Sequence, residues 1–216
     1  MREGTLPLTP PVSLAEGERV VSIPSNGPRQ AVPKTRRRRT KGLSMFSVGR
    51  QADVIAFLVN PTNAVAKLDT SNVREAAQTK RVQLQIVEAR SKREIDTAFA
   101  SLIQQGASAL IVQVDPFLDG SGKQLAALAA RHAVPAIAAH REFAARGGLI
   151  SYGASLADAY RLEGNYVGRL LKGERPAELP VQQSVKVELV INLKTAKALG
   201  LTIPPSLLLR ADQIIE

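Results

Sequence analysis

A chain of 216 residues with 44% hydrophobic residues can bury one sizeable core or two small ones. It has no cysteine, which excludes a disulfide framework, a thiolate metal site and a cysteine nucleophile, and no apolar stretch reaches the roughly 18 residues of a membrane-spanning helix. The net charge of +10 is concentrated at one end: residues 1–50 carry ten Lys or Arg against three Glu, while the remaining 166 residues hold a net charge of only +3.

Residues 1–50 also contain six of the thirteen prolines and show neither helical nor strand periodicity. Such a segment buries too little apolar surface to offset the entropy of ordering, so it is predicted to be a disordered, basic, proline-rich tail. Arg36–Arg39, flanked by Lys34 and Lys41, offers charge for phosphates. Only Phe46 is near enough to stack on a base, so the run reads as a solvated tail and nucleic acid is not an expected partner. Glu3, Pro7, Pro10 and Pro11 occupy the start and no apolar h-region follows, so the sequence as written carries no secretory signal and reads as cytoplasmic.

From residue 51 onward the texture is α/β, and the chain order predicts a doubly wound parallel sheet with helices on both faces. Val54 to Val59 is a continuous apolar run closed by Asn60 and Pro61, and residues 64–80 follow as a polar-faced helix. Val82, Leu84 and Ile86 alternate with Gln83 and Gln85, which predicts a strand toward a sheet edge. Ser91 and Glu94 have capping-box spacing, and Ile95, Phe99, Leu102 and Ile103 then share a helical face. Residues 109–114 form a fully apolar run, as expected of a central strand, closed by Asp115 and Pro116. Leu125, Leu128 and Ala129 begin another helical stripe, residues 134–138 and 148–152 are predicted strands, and residues 156–172 a long helix stopped by Gly173. Val185, Val187, Leu189 and Ile191 alternate again before a short helix over 194–199.

In open α/β sheets ligands bind beyond the carboxyl ends of the strands. That rule selects Asn60, Thr62 and Asn63 after the first strand, Asp115 and Phe117 after the third, Arg141 and Glu142 after the fourth, and Tyr152 at the fifth. Together they suit a small zwitterion with an apolar side chain. Each also has a structural role open to it: Asn60 and Asn63 as turn and cap residues, Asp115 as a strand terminator, Arg141 and Glu142 as a solvated pair, Tyr152 as core.

Catalytic patterns fail on inspection. Gly120-Ser-Gly-Lys123 resembles part of a phosphate loop, but Phe117 and Gln124 stand where Gly and Ser or Thr are required. No G-x-G-x-x-G follows the first strand and no G-x-S-x-G marks a nucleophile elbow. His132 and His140 are the only histidines and have no thiolate partner, so no metal, cofactor or catalytic residue is predicted and the chain reads as a non-enzyme.

Four phrases carry a resemblance: Phe57-Leu-Val-Asn-Pro-Thr-Asn63, Arg93-Glu-Ile-Asp-Thr-Ala-Phe99, residues 141–153, and Glu188 through Pro204. They resemble the later portion of the bacterial ABC-transporter substrate-binding family, which has a type I periplasmic-binding fold. The resemblance implies two α/β lobes closing on a small ligand, possibly an amino acid, and docking on a membrane permease from the periplasm. It would give Tyr152 or Phe117 a stacking role and Asn60, Asn63 and Asp115 polar ones. It also implies that the chain crosses to the other lobe near Tyr152, so that the helix over 155–172 belongs to a lobe this sequence lacks, leaving a truncated, impaired binding protein. The competing reading is a cytosolic regulatory α/β domain whose basic tail contacts nucleic acid.

Overall fold

The computed structural model describes residues 54–182 and 186–216. The tail expected over 1–50, its arginine run and Val185 lie outside these residues. The described chain folds around one seven-stranded sheet, in the order β2-β1-β3-β4-β5-β6-β7.

Strand β1 (Val54–Val59) is buried along almost its whole length and pairs in parallel with β2 (Gln83–Glu88) and β3 (Ala109–Val112). Its unbroken apolar run is what a strand covered on both faces requires. Helix α1 (Ala66–Lys80) connects β1 to β2, which lies at the sheet edge, as its alternation predicts. Helix α2 (Lys92–Gln104) begins at the expected cap: Ser91 Oγ accepts from the Glu94 N–H at 3.2 Å, while Glu94 reaches back to the Arg90 N–H. Two short helices that sequence periodicity did not suggest follow the next strands. They are α3 (Pro116–Gly120), directly after β3, and α5 (Arg141–Ala145), after β4 (Ala136–Ala138). Between them α4 (Gly122–Arg131) supplies the stripe begun by Leu125.

Strand β5 (Ile150–Ala154) starts two residues later than expected and is the last of the parallel set. Strand β6 (Val187–Asn192) runs antiparallel to it, so the sheet is the expected doubly wound, mostly parallel one with a single antiparallel junction. The reason is connectivity. After β5 the chain makes helix α6 (Leu156–Leu171) and a 3-10 turn at Pro176–Glu178, then returns to the edge it left, where the Ser155 N–H donates to the Lys186 carbonyl at 2.9 Å. A strand entered from that edge must run backwards. Helices α7 (Leu193–Ala198) and α8 (Pro205–Leu208) then lead to an unexpected terminal strand, β7 (Gln213–Ile215), parallel to β6.

The two sheet faces are covered differently. On one, Ala56, Leu58, Leu110, Val112, Ala136 and Ala138 pack against Phe99 and Leu102 of α2, Leu125 of α4 and Phe143 of α5. On the other, a single row crosses all seven strands in register: Ile86, Phe57, Ile111, Ile137, Ile150, Ile191 and Ile214. Helix α1 covers one end of this row, and the segment containing α7 and α8 covers the other. Helix α6 buries no residue at all.

Phe99 is 1% exposed at the centre of the first face, beside fully buried Ile95 and Leu102. Phe99→Ala is expected to cost about 3–5 kcal/mol, seen as a lower guanidinium midpoint with an unchanged slope.

Candidate functional site

The carboxyl edge of the parallel strands gathers the loops after β1, β3, β4 and β5. What holds the first two together is a buried polar network. Asp115 is 3% exposed and its carboxylate takes three donors: the Leu118 N–H at 3.0 Å, Asn60 Nδ2 at 3.1 Å and Asn63 Nδ2 at 2.9 Å. One oxygen therefore caps α3, while the other clamps the β1 loop. Gln113, 2% exposed, accepts from the Asn60 N–H at 2.9 Å and donates to Asp69 of α1 at 2.8 Å. Thr62 closes the turn by donating its N–H and hydroxyl to Asn60 Oδ1, at 3.1 and 2.8 Å.

These contacts bring Asn60, Thr62, Asn63 and Asp115 into one cluster. Asn60 and Asp115 are occupied by their own partners, so their geometry is that of a scaffold, with Thr62 and Asn63 on its outer side. Phe117 is half-buried against the core beneath α3. Arg141 is exposed and turns away from this cluster, donating to Gln213 of β7 and lying 3.9 Å from Glu188 of β6; neither partner is Glu142. Tyr152 is half-buried on the opposite face of the sheet, packed beside Ile137 on the α7 and α8 cluster. At Gly153 the β4 loop comes so close that a Cβ would stand 2.7 Å from the Ala139 carbonyl oxygen, so only glycine fits.

Glu142 belongs to a feature that the sequence reading missed. It lines a pocket of about 300 Å³ with Asp119, His140 and Arg146 among its polar groups and Leu118 and Phe143 among its apolar ones. His140 Nε2 lies 3.3 Å from Asp119 Oδ2, Arg146 donates to the Asp119 carbonyl at 3.1 Å, and His140 Nδ1 is buried with no hydrogen-bond partner. Burial is the main cause holding the Asp119 carboxyl above its usual 3.8; nearby His140 opposes it, Asp115 and Glu142 reinforce it, and Arg146 opposes it. The sequence signal was slight: α3 and α5 are too short for periodicity to place Asp119 and Arg146 on facing turns. The pocket offers both signs of charge around an apolar floor. Among the described residues no group of three or more His, Asp or Glu is placed to hold a metal ion.

The family described as ABC transporter substrate binding protein matches residues 48–215. Among solved structures, an ABC domain in complex with L-Trp from Streptococcus pneumonia is 23% identical with a TM-score of 0.69, the match covering 79% of this chain and 57% of that one. A conserved domain protein from Vibrio cholerae is 23% identical with a TM-score of 0.67, covering 76% of this chain and 55% of that one. A ligand-free, open substrate binding protein with adhesive properties from Clostridium difficile is 21% identical with a TM-score of 0.58, over 76% of this chain and 55% of that one. The chain thus spans little more than half the length of these relatives, and at such identities the likeness is one of fold. Comparison with curated proteins gives no match.

Asp115→Ala strands two amide donors and a helix-capping N–H, and is expected to cost about 2–4 kcal/mol in chemical denaturation. Gly153→Ala must displace β5 from the Ala139 backbone, with an expected cost of about 1–3 kcal/mol in the same measurement. For Asp119, the raised carboxyl keeps its proton in the folded chain over a pH window above 3.8 in which the unfolded chain has lost it. Folded protein then binds more protons, so stability falls as pH rises through that window. The denaturation midpoint of Asp119→Asn is expected to gain on that of the wild type as the pH is raised from 3.8 through the folded-state titration of Asp119.

Proposed function

The chain belongs to the ABC transporter substrate binding protein family, and from that membership we propose that its α/β region is one wall of a clamp for a small solute. The observation carrying this reading is that the loops after β1, β3, β4 and β5 share one edge, beside a pocket of about 300 Å³ that has both charges and an apolar floor. That volume lies at the lower end of the range for small-molecule sites. The family's role is binding rather than catalysis.

The solute class is an amino acid. In the pocket, Glu142 and Asp119 would face an ammonium, Arg146 a carboxylate, and Leu118 and Phe143 the side chain. Outside it, Thr62, Asn63 and Phe117 would contact the solute once a second α/β lobe closes on the edge, with Asn60 and Asp115 fixing the loops that present them. The L-Trp held by the Streptococcus relative supports an amino acid as the class. Arg141 and Tyr152 are the weakest contacts in this scheme, since Arg141 binds Gln213 and Tyr152 packs on the other face.

Hinge closure between lobes would then set selectivity and present the closed form to a membrane permease, outside the cytoplasm. Within this scheme residues 1–50 are a basic tail, residues 51–216 the binding region, and α6 a helix that packs on the second lobe. Among the described residues, no helix is long and apolar enough to cross a membrane.

With one wall only, affinity should be low. Calorimetric titration of the chain with amino acids is expected to give saturable binding with Kd about 1 mM or weaker, lost in Glu142→Lys. Tight, micromolar binding would contradict the single wall. No response to any amino acid would remove the solute class.

A further inference from the structure

Helix α1 carries its polar groups in two sets. Asp69 turns inward and accepts from Gln113, tying the helix to the end of β3. On the outer flank Lys67, Thr70, Ser71 and Arg74 follow at i, i+3, i+4 and i+7, which sets them along one side of the helix. They border a cavity of about 360 Å³ floored by Val59, Ala66 and Ile86, with Glu88 of the edge strand β2 also lining it.

None of Lys67, Thr70, Ser71, Arg74 and Glu88 has a side-chain partner among the described residues. Cations on a helix surface are stabilised by an acid three or four positions away. Here those positions hold Thr70 and Ser71, which favour a helix less than glutamate would. Threonine hydroxyls inside a helix return to the carbonyl four residues back, as Thr79 does to Glu75 and Thr97 to Arg93; Thr70 does not. Lys67 also stands in the first turn, where the helix dipole disfavours a cation. One wall of the cavity therefore presents two free cations and two free hydroxyls, an arrangement that helix stability does not explain.

That set exceeds what the two oxygens of a carboxylate require, and it matches the charge and three oxygens of a phosphate monoester. Two turns, about 10 Å along the axis, separate Lys67 from Arg74, a gap that their long side chains close from either end. Glu88 would repel a bare anion. It sets a requirement for an ammonium at the other end of the ligand.

We propose that this cavity is a second ligand site, taking the phosphate monoester of a small amino alcohol. The phosphate lies on Lys67, Thr70, Ser71 and Arg74, the carbon chain on Ala66 and Ile86, and the ammonium on Glu88. The site stands apart from the solute pocket, which is built on the opposite sheet face.

The probe is O-phosphoethanolamine, titrated into the full chain and followed by backbone amide NMR. It is expected to shift residues 59–60, 66–74 and 86–88 saturably, with Kd about 1 mM for so open a site. Thr70→Val removes a hydroxyl without changing charge or branching and should weaken binding about fivefold, and Arg74→Gln about tenfold. Arg131→Gln, at the end of α4 on the other sheet face, makes the same charge change at a distance and should leave Kd within about twofold. Glu88→Gln should abolish the preference for phosphoethanolamine over inorganic phosphate. Because the basic run could capture phosphate by itself, the deciding control replaces Arg36 to Arg39 by Gln, and the cavity shifts are expected to persist. Their disappearance in that variant overturns the proposal, as does the lack of saturable shifts over 66–74 up to about 20 mM probe. Equal weakening by Arg131→Gln and Arg74→Gln, or a preference that survives Glu88→Gln, overturns it as well.

Discussion

The carboxylate of Asp115 fixes the carboxyl edge of the parallel strands, on which the candidate site rests. Parallel strands end in loops, and loops that carry binding groups are useful only if they are held in place. Here a single buried acid accepts from a helix N-terminus and from two asparagines of the neighbouring loop, joining the ends of β1 and β3. Gln113 extends the tie to α1 through Asp69. Asn60, Gln113 and Asp115 are buried polar groups that would otherwise lack partners, so the network is stabilising as a whole and would be destabilising in part.

Much of this fold can be read along the sequence, because the pattern of burial is periodic. The apolar run over 54–59 marks a central strand, the Gln alternation at 83–85 an edge strand, and Ser91 with Glu94 a helix start. Strand direction is different: alternation in Val187 to Ile191 shows a face but not a sense, and the antiparallel placement of β6 follows from where the chain re-enters the sheet. Helices α3 and α5 have five residues each, too few to show a stripe. Strand β7, with three residues, is set by pairing to β6.

The candidate site is legible in the sequence only as a set of strand-end loops. The strand-end rule brings Asn60, Thr62, Asn63 and Asp115 together, but local spacing cannot decide between contact and scaffold. That decision rests on partners more than fifty positions away, such as Asn60 for Asp115. The rule also selects Arg141, whose side chain is drawn off by Gln213 and Glu188, on strands that the loop position does not reveal. The charged pocket escaped notice because Asp119 and Arg146 meet only once two short turns are folded against each other.

The return of the chain to the point it left, with Ser155 joined to Lys186, has a consequence for modularity. Strands β5 and β6 pair over five positions regardless of what lies between them, so the excursion containing α6 hangs from the sheet as a closed loop. The entropy of closing such a loop rises only with the logarithm of its length. The excursion could therefore lengthen, shorten or receive an inserted reporter domain while the β-scaffold folds as before, making this the natural splice point of the molecule.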